Sequence, residues 1–161
     1  LTGDFIVGSQ ETLNVTVSSD LTTEGSEVFQ LALDNGEATV GVTIADTSIT
    51  PGNNYTITVG NAGSGSYTLS GTDRNGSVSG NNAQINLNVN DNLTLTMNAA
   101  GHPLYIKSTN ATGTGNQVTT PAAVGQGASS SGNITWTPNT AGTYHYNCPY
   151  HSSMHGLIVV S

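Results

Sequence analysis

Apolar and polar residues alternate along most of this chain, in short runs separated by turns rich in glycine and asparagine. Apolar side chains recur at a spacing of two in nine places: Leu13, Val15 and Val17; Phe29, Leu31 and Leu33; Val40, Val42 and Ile44; Tyr55, Ile57 and Val59; Ile85, Leu87 and Val89; Leu93, Leu95 and Met97; Ile134 and Trp136; Tyr144, Tyr146 and Cys148; Leu157 and Val159. This spacing puts them on one face of a β-strand, and helix-like spacing is missing. The pattern predicts an all-β, antiparallel β-sandwich with one buried face per strand.

Charge divides the chain into two parts. Residues 1–50 hold eight of the ten acidic residues and neither lysine nor arginine. The remainder is neutral, because two acids balance two bases: Asp73, Asp91, Arg74 and Lys107. The change coincides with a turn signal at Pro51-Gly52. We therefore expect a short N-terminal β segment over residues 1–50 and a sandwich domain over residues 51–161.

The composition excludes several partners. A net charge of -8 with only two basic residues argues against binding nucleic acid or an anionic membrane surface. The longest apolar run near the C-terminus, LIVV, is far too short for membrane insertion. A single cysteine excludes an internal disulfide. The chain opens at Leu1 without a methionine or an apolar leader, as expected for a processed protein or an excised fragment.

The candidate chemistry lies near the C-terminus, in GTYHYNCPYHSSMHGLIVV. Cys148 stands three positions before His151, which stands three positions before Met154. A thiolate, an imidazole and a thioether form a soft ligand set, which selects copper and allows it to cycle between Cu(I) and Cu(II). His102, in NAAGHPLYI, is the candidate for a second imidazole. The sequence thus predicts a mononuclear copper site made by His102, Cys148, His151 and Met154.

Strand parity gives independent support for the cysteine. Tyr144, Tyr146 and Cys148 share one face, and the two aromatic rings direct that face into the core, where the thiolate is shielded from water. By the same parity His145 and Asn147 point outward. We expect His145, and also His155, to be surface residues.

The run G-T-Y-x-Y-x-C-x-x-H-x-x-M-x-G-x-x-V-V, intact from Gly142 to Val160, resembles the copper loop of cupredoxins. The spacing is closer to amicyanin than to plastocyanin, and the resemblance extends over residues 54–161. It implies an antiparallel Greek-key β-sandwich of cupredoxin type, in which His102 and His151 bind through imidazole nitrogen, Cys148 through its thiolate and Met154 as a weak axial ligand. Pro103 stands where these proteins have an asparagine that ties the two ligand loops together.

The ligand set also bounds the function. Four protein ligands leave no coordination position for a substrate, so we expect electron transfer or copper holding and not an enzyme. A second bridging cysteine and a His-x-His pair, needed for dinuclear and multicopper centres, are absent from the sequence. Each residue also has an ordinary explanation: Cys148 as a small buried hydrophobe, Met154 as core filling and His102 as a hydrogen-bonded loop residue.

The acidic N-terminal segment resembles the second half of a Calx-beta domain. The resemblance is carried by TEGSEVF at residues 23–29, LAL at 31–33 and VTIAD at 42–46. It implies calcium binding through Glu24, Glu27 and Asp46 as one interpretation of these acids, and a solvated acidic face is the alternative.

Calx-beta-like and cupredoxin-like modules together resemble parts of extracellular or virion surface proteins, including phage structural proteins. A copper module on such a protein is the leading hypothesis, with an unknown redox partner. The alternative is a structural or adhesive sandwich subunit in which metal is absent or only stabilising. In that case the short N-terminal sheet would recruit neighbouring strands, giving self-assembly.

Overall fold

The computed structural model describes residues 27–32, 39–44 and 51–161, and the regular elements in these ranges are β-strands. Contacts divide the chain into two compact units, Leu1–Thr50 and Pro51–Ser161. In the first unit β1 (Glu27–Ala32) pairs antiparallel with β2 (Thr39–Ile44). The strand predicted around residues 13–17 and the candidate calcium ligands Glu24 and Asp46 lie outside the described residues. Within the described part, no helix has the length and hydropathy needed to cross a membrane.

The second unit contains two sheets. Its strands are β3 (Asn54–Ala62), β4 (Ser66–Asp73), β5 (Gly76–Asn81), β6 (Ile85–Leu87), β7 (Asn92–Met97), β8 (Tyr105–Lys107), β9 (Asn133–Trp136), β10 (Gly142–Asn147) and β11 (His155–Val160). The order β5-β4-β3-β7-β9 makes a five-stranded sheet, and β6-β11-β10-β8 makes a four-stranded sheet. Between β5 and β10 every connection passes from one sheet to the other, so neighbouring strands of a sheet come from distant parts of the sequence.

One apolar core lies between the two sheets. The five-stranded sheet contributes Ile57, Val59, Leu93, Leu95, Met97, Ile134 and Trp136, and the four-stranded sheet contributes Ile85, Leu87, Ile106, Tyr146 and Ile158. All of these side chains are at most 2% exposed. Because burial of apolar surface is the main favourable term in folding, this alternation is what brings the two sheets together. The all-β sandwich predicted from the sequence is confirmed.

Two details of the predicted sheet are wrong. Not all pairings are antiparallel, since β3 pairs parallel with β7 and β6 pairs parallel with β11. Parallel neighbours require a crossover connection, which the passages between sheets supply. In β11 the buried residues are Gly156, Ile158 and Val160, whereas Leu157 is 37% exposed. The register explains this, because Tyr146 lies opposite Gly156 and opposite residues share a face.

The pairing of Tyr146 with Gly156 fixes the end of the β10–β11 hairpin. The phenol of Tyr146 lies directly over Gly156, and a Cβ atom there would overlap the phenol oxygen and ring. Tyr146 is fully buried, and its hydroxyl donates a hydrogen bond to the Ala83 carbonyl at 2.7 Å. Only glycine allows this close approach, so Gly156 sets the position of the strand that leads to Cys148.

Candidate metal centre

His102 lies in a tight turn between β7 and β8. Its N–H donates to the Ala99 carbonyl at 2.9 Å, and the Ala99 N–H donates to the Ser129 carbonyl at 2.7 Å. Gly101 has a φ of 78°, a left-handed conformation that glycine adopts without steric cost. The turn is therefore closed internally and also held from outside by the segment around Ser129.

Tyr67 of β4 supports the same turn from inside the core. Its side chain is fully buried, and its hydroxyl lies 2.7 Å from the Pro103 carbonyl oxygen and 3.2 Å from that of His102. Burial raises the pKa of Tyr67, and a charged thiolate at Cys148 adds to the effect, so the phenol keeps its proton and donates. Sequence reasoning missed this residue, although its alternation with Leu69 indicated an inward direction.

Cys148 directly follows β10 and begins the loop that leads to β11. The side chain is fully buried, and its N–H donates to the Met154 carbonyl at 2.9 Å. The Met154 N–H in turn donates to the His151 carbonyl at 3.1 Å, and the Met154 side chain is also fully buried. These two bonds fold the loop back on itself, so that three of the four predicted ligands belong to one compact turn.

The ligand atoms of His102, Cys148 and His151 converge. The two Nδ1 atoms of the histidines lie 3.2 Å apart, and the Cys148 Sγ lies 3.6 Å from the His151 Nδ1. One ligand atom from each residue falls within 4.8 Å of the others. The two imidazole rings are tilted by 52° to each other, with their centroids 4.9 Å apart.

These separations match what a single metal ion requires. Metal–nitrogen distances of about 2.0–2.1 Å and metal–sulfur distances of about 2.3 Å, as for zinc, put two nitrogens about 3.3–3.4 Å apart at tetrahedral angles. They put nitrogen and sulfur about 3.6 Å apart under the same conditions. A cluster of two imidazoles and one thiolate, with a thioether in the same loop, is the donor set that favours copper over harder cations. The residues present therefore fit copper.

The outcome differs for the other predicted residues. Met154 is buried in the ligand loop, and its role as an axial ligand stays a prediction. The expectation that His145 lies at the surface is wrong: it is half-buried, and its Nδ1 is buried without a hydrogen-bond partner among the described residues. Asn147 is 1% exposed. Burial lowers the pKa of His145, and the neighbouring His155 lowers it further.

Residues 110–113, which we call the strap, explain why the face of β10 that carries His145 and Asn147 is covered. The Asn147 Nδ2 donates to the Asn110 Oδ1 at 2.7 Å, and the Gly113 N–H donates to the Pro149 carbonyl at 2.9 Å. The strap thus covers β10 and is bonded to the residues on either side of Cys148. No sequence pattern predicts the strap, because the residues after β8 lack a regular apolar pattern and their hydrogen-bond partners are distant in the sequence.

The far side of the ligand loop is also anchored. The Asn82 Nδ2 donates to the Ser153 carbonyl at 2.9 Å, and the Ser153 hydroxyl donates to the Ser64 carbonyl at 3.1 Å. Pro103 stands at the position after His102, where the sequence resemblance to amicyanin and plastocyanin leads one to expect an asparagine. In this chain Tyr67, the strap and Asn82 supply hydrogen bonds that hold the two ligand loops.

Comparison with known proteins gives structural neighbours only. No protein-family model and no curated protein sequence matches the chain. The copper protein rusticyanin matches at 24% identity and a TM-score of 0.47, over 68% of this chain and 79% of that chain. A methionine-to-leucine variant of rusticyanin matches at 23% identity and a TM-score of 0.47, over 68% and 78%. Rusticyanin from Thiobacillus ferrooxidans matches at 22% identity and a TM-score of 0.43, over 68% and 79%.

Proposed function

We propose that residues 51–161 form a copper-binding module of cupredoxin type that transfers single electrons or holds copper. The observation that carries the proposal is the convergence of two imidazole nitrogens and a buried thiol at separations of 3.2 and 3.6 Å. Hydrogen-bonded core residues do not require three such atoms to meet. A metal ion does, since its ligands must share one centre.

Each of the four side chains has a distinct role in this proposal. Cys148 would hold copper as the thiolate, His102 and His151 through ring nitrogen, and Met154 through its thioether as a weak ligand. Bound copper supplies a one-electron couple between Cu(I) and Cu(II). The Cys148 N–H donates to the Met154 carbonyl and the Met154 N–H donates to the His151 carbonyl, and these two bonds would resist rearrangement of the ligand loop between the two states.

The burial pattern indicates where an electron enters and leaves. Cys148 and Met154 are fully buried, whereas His102 and His151 are half-buried. The imidazole edges are therefore the part of the centre nearest to a partner. With the thiol enclosed and every proposed ligand supplied by the protein, we propose an electron carrier and not an enzyme.

The test is to add Cu(II) to the metal-free protein and record the visible spectrum. We expect an intense thiolate-to-copper band with one copper per chain by metal analysis. Cys148→Ser should abolish the band, whereas His145→Gln, a change in a neighbouring histidine outside the cluster, should leave it in place. A wild-type protein that stays colourless and retains no copper after desalting contradicts the proposal.

For the N-terminal unit we propose a Calx-beta-like segment of an extracellular or virion surface protein. The support is the acidic sequence of residues 1–50, which is free of lysine and arginine, and the antiparallel β1–β2 pair. Calcium titration by calorimetry, with Glu24→Gln and Glu27→Gln as variants, tests whether the segment binds the ion. Heat that is unchanged in the variants would assign no calcium role to these acids.

A second candidate function is a structural or adhesive subunit. Among the described strands β1 pairs only with β2, and a two-stranded sheet is marginal without further strands. Light scattering after size-exclusion chromatography, with and without a chelator, separates the two functions. A monomer that holds copper tightly favours the redox module, and an oligomer that ignores chelation favours assembly.

A further inference from the structure

Lys107, the last residue of β8, is a buried cation. It is one of only two basic residues in the chain and is 0% exposed. Its Nζ donates to two carbonyl oxygens of the strap, that of Ala111 at 2.6 Å and that of Gly113 at 2.5 Å. Short bonds of this kind are typical of a charged donor. The ammonium is therefore stabilised by peptide dipoles.

No carboxylate among the described residues pairs with this ammonium. The acids of the same unit are occupied elsewhere, since Asp73 accepts from the Asn86 N–H at 2.7 Å and Asp91 accepts from the Asn53 N–H at 2.8 Å. A buried charge without a counter-ion is costly and keeps most of its field. Its field therefore acts on whatever lies close by.

Two contacts connect Lys107 to the Cys148 end of β10. Lys107 of β8 pairs with His145 of β10, and His145 stands three residues before Cys148. Gly113, whose carbonyl accepts from the ammonium, donates its N–H to the Pro149 carbonyl, directly after Cys148. Burial lowers the pKa of Lys107, and a charged thiolate at Cys148 acts in the opposite direction, to raise it.

We propose that the buried Lys107 ammonium raises the reduction potential of copper at this centre. The inference rests on the proposed copper function. Reduction adds one electron, supplied by an external one-electron donor, and converts Cu(II) to Cu(I). The centre then carries one positive charge less, so a fixed positive charge nearby favours the reduced state. Because the ammonium is buried, water and salt screen this interaction weakly.

The expected size follows from Coulomb's law. A unit charge about 10 Å away, at an effective dielectric constant of about 20, changes the balance between the two copper states by about tenfold. The same charge at the surface has a much smaller effect, because solvent surrounds it. The chain offers the matched comparison, since Arg74 is the other basic residue and is exposed.

The experiment is a redox titration of the copper-loaded full chain, followed by its visible band in the presence of soluble mediators. In Lys107→Met we expect the Cu(II)-to-Cu(I) ratio at fixed ambient potential to rise about tenfold, and by the same factor at low and high salt. In Arg74→Met we expect a change below about twofold. An unchanged ratio in Lys107→Met overturns the proposal.

A structural effect of Lys107 is separated by two further variants. Asn110→Ala removes the bond from the strap to Asn147 but keeps the ammonium, so hydrogen exchange at Gly113 should accelerate while the copper ratio stays within about twofold of wild type. Lys107→Arg keeps the charge and should keep the wild-type ratio. If Lys107→Met does not fold, Lys107→Gln, which also removes the charge, takes its place with the same expected result. A shift in Asn110→Ala equal to that in Lys107→Met, or a tenfold shift in Lys107→Arg, overturns the charge mechanism.

The outcomes also distinguish this inference from the proposed function. A wild-type protein without a thiolate-to-copper band would contradict both the copper function and the role of Lys107. A wild-type protein with the band, together with a Lys107→Met variant of unchanged ratio, removes only the role of Lys107 and leaves the copper module in place.

Discussion

Tyr67→Phe isolates the support that the core gives to the first histidine turn. The substitution removes one hydroxyl and leaves the ring, which is fully buried, to pack as before. The hydroxyl is 2.7 Å from the Pro103 carbonyl oxygen and 3.2 Å from that of His102. Without it both carbonyls lose a donor that solvent replaces poorly, since each residue is only partly exposed.

The magnitude follows from these contacts. Removing one partner of a buried hydrogen bond costs about 1–3 kcal/mol, because the remaining group is left desolvated and unpaired. The 2.7 Å bond to Pro103 has near-optimal length, and the longer contact to His102 adds less. We therefore expect the free energy of unfolding of residues 51–161 to fall by about 2 kcal/mol in the metal-free protein.

The chain carries its own probe for this measurement. Trp136 is the only tryptophan and is 2% exposed in the core of the second unit, so its fluorescence reports the unfolding of that unit in urea. Tyr144→Phe is the matched control. It also removes a phenol hydroxyl bonded to a carbonyl, that of Thr140 at 3.0 Å, but in an exposed position. We expect the control to change the unfolding free energy by less than about 0.5 kcal/mol.

Equal and small losses of unfolding free energy in Tyr67→Phe and Tyr144→Phe would refute the reasoning. They would mean that the Tyr67 hydroxyl does not stabilise the His102 turn. A second readout links stability to the site. If the hydroxyl holds the His102 turn, Tyr67→Phe should also weaken copper binding, measured by competition with a chelator, whereas Tyr144→Phe should not.

Three further changes have defined outcomes. Gly156→Ala should cost about 1–3 kcal/mol by the same urea assay, because the added methyl overlaps the Tyr146 phenol; an unchanged midpoint would show that the hairpin yields without cost. Burial depresses the pKa of His145 in the folded state, so its stabilisation is present above about pH 6.5 and is lost as pH falls below that value. His145→Leu should make stability less dependent on pH between 7.5 and 5, and an identical profile would contradict this. Copper at about one hundred times its dissociation constant should add about 2.7 kcal/mol to the unfolding free energy of wild type. A similar gain in Cys148→Ser would place the ion elsewhere.

The architecture was predictable because alternation is a local signal. Triplets such as Leu93, Leu95 and Met97 specify a strand and its buried face without reference to any partner. Which strands pair is not local, and so the parallel neighbours β3 and β7 were missed. The parity of β11 was also missed, because it follows from the register of Tyr146 against Gly156.

The candidate site was predictable to the extent that it is encoded in one short run. The spacing of Cys148, His151 and Met154 predicts three ligands directly, and His102 follows from the need for a second imidazole. The supporting contacts could not be predicted, because Tyr67 and the strap are distant in sequence from the residues that they contact. The same holds for Lys107, which sequence alone shows as one of two basic residues and the structure shows as buried.

The burial of charge in residues 51–161 has a consequence for encounter kinetics. Of the four side chains there that carry a full charge, three are enclosed: Asp73, Asp91 and Lys107 are at most 5% exposed. Arg74 alone remains to create a field outside this unit. Residues 51–161 therefore add little long-range steering of their own, so electrostatic guidance of a partner comes from the eight acidic residues in residues 1–50. The surface of residues 51–161 therefore selects a partner by shape and close contact more than by charge.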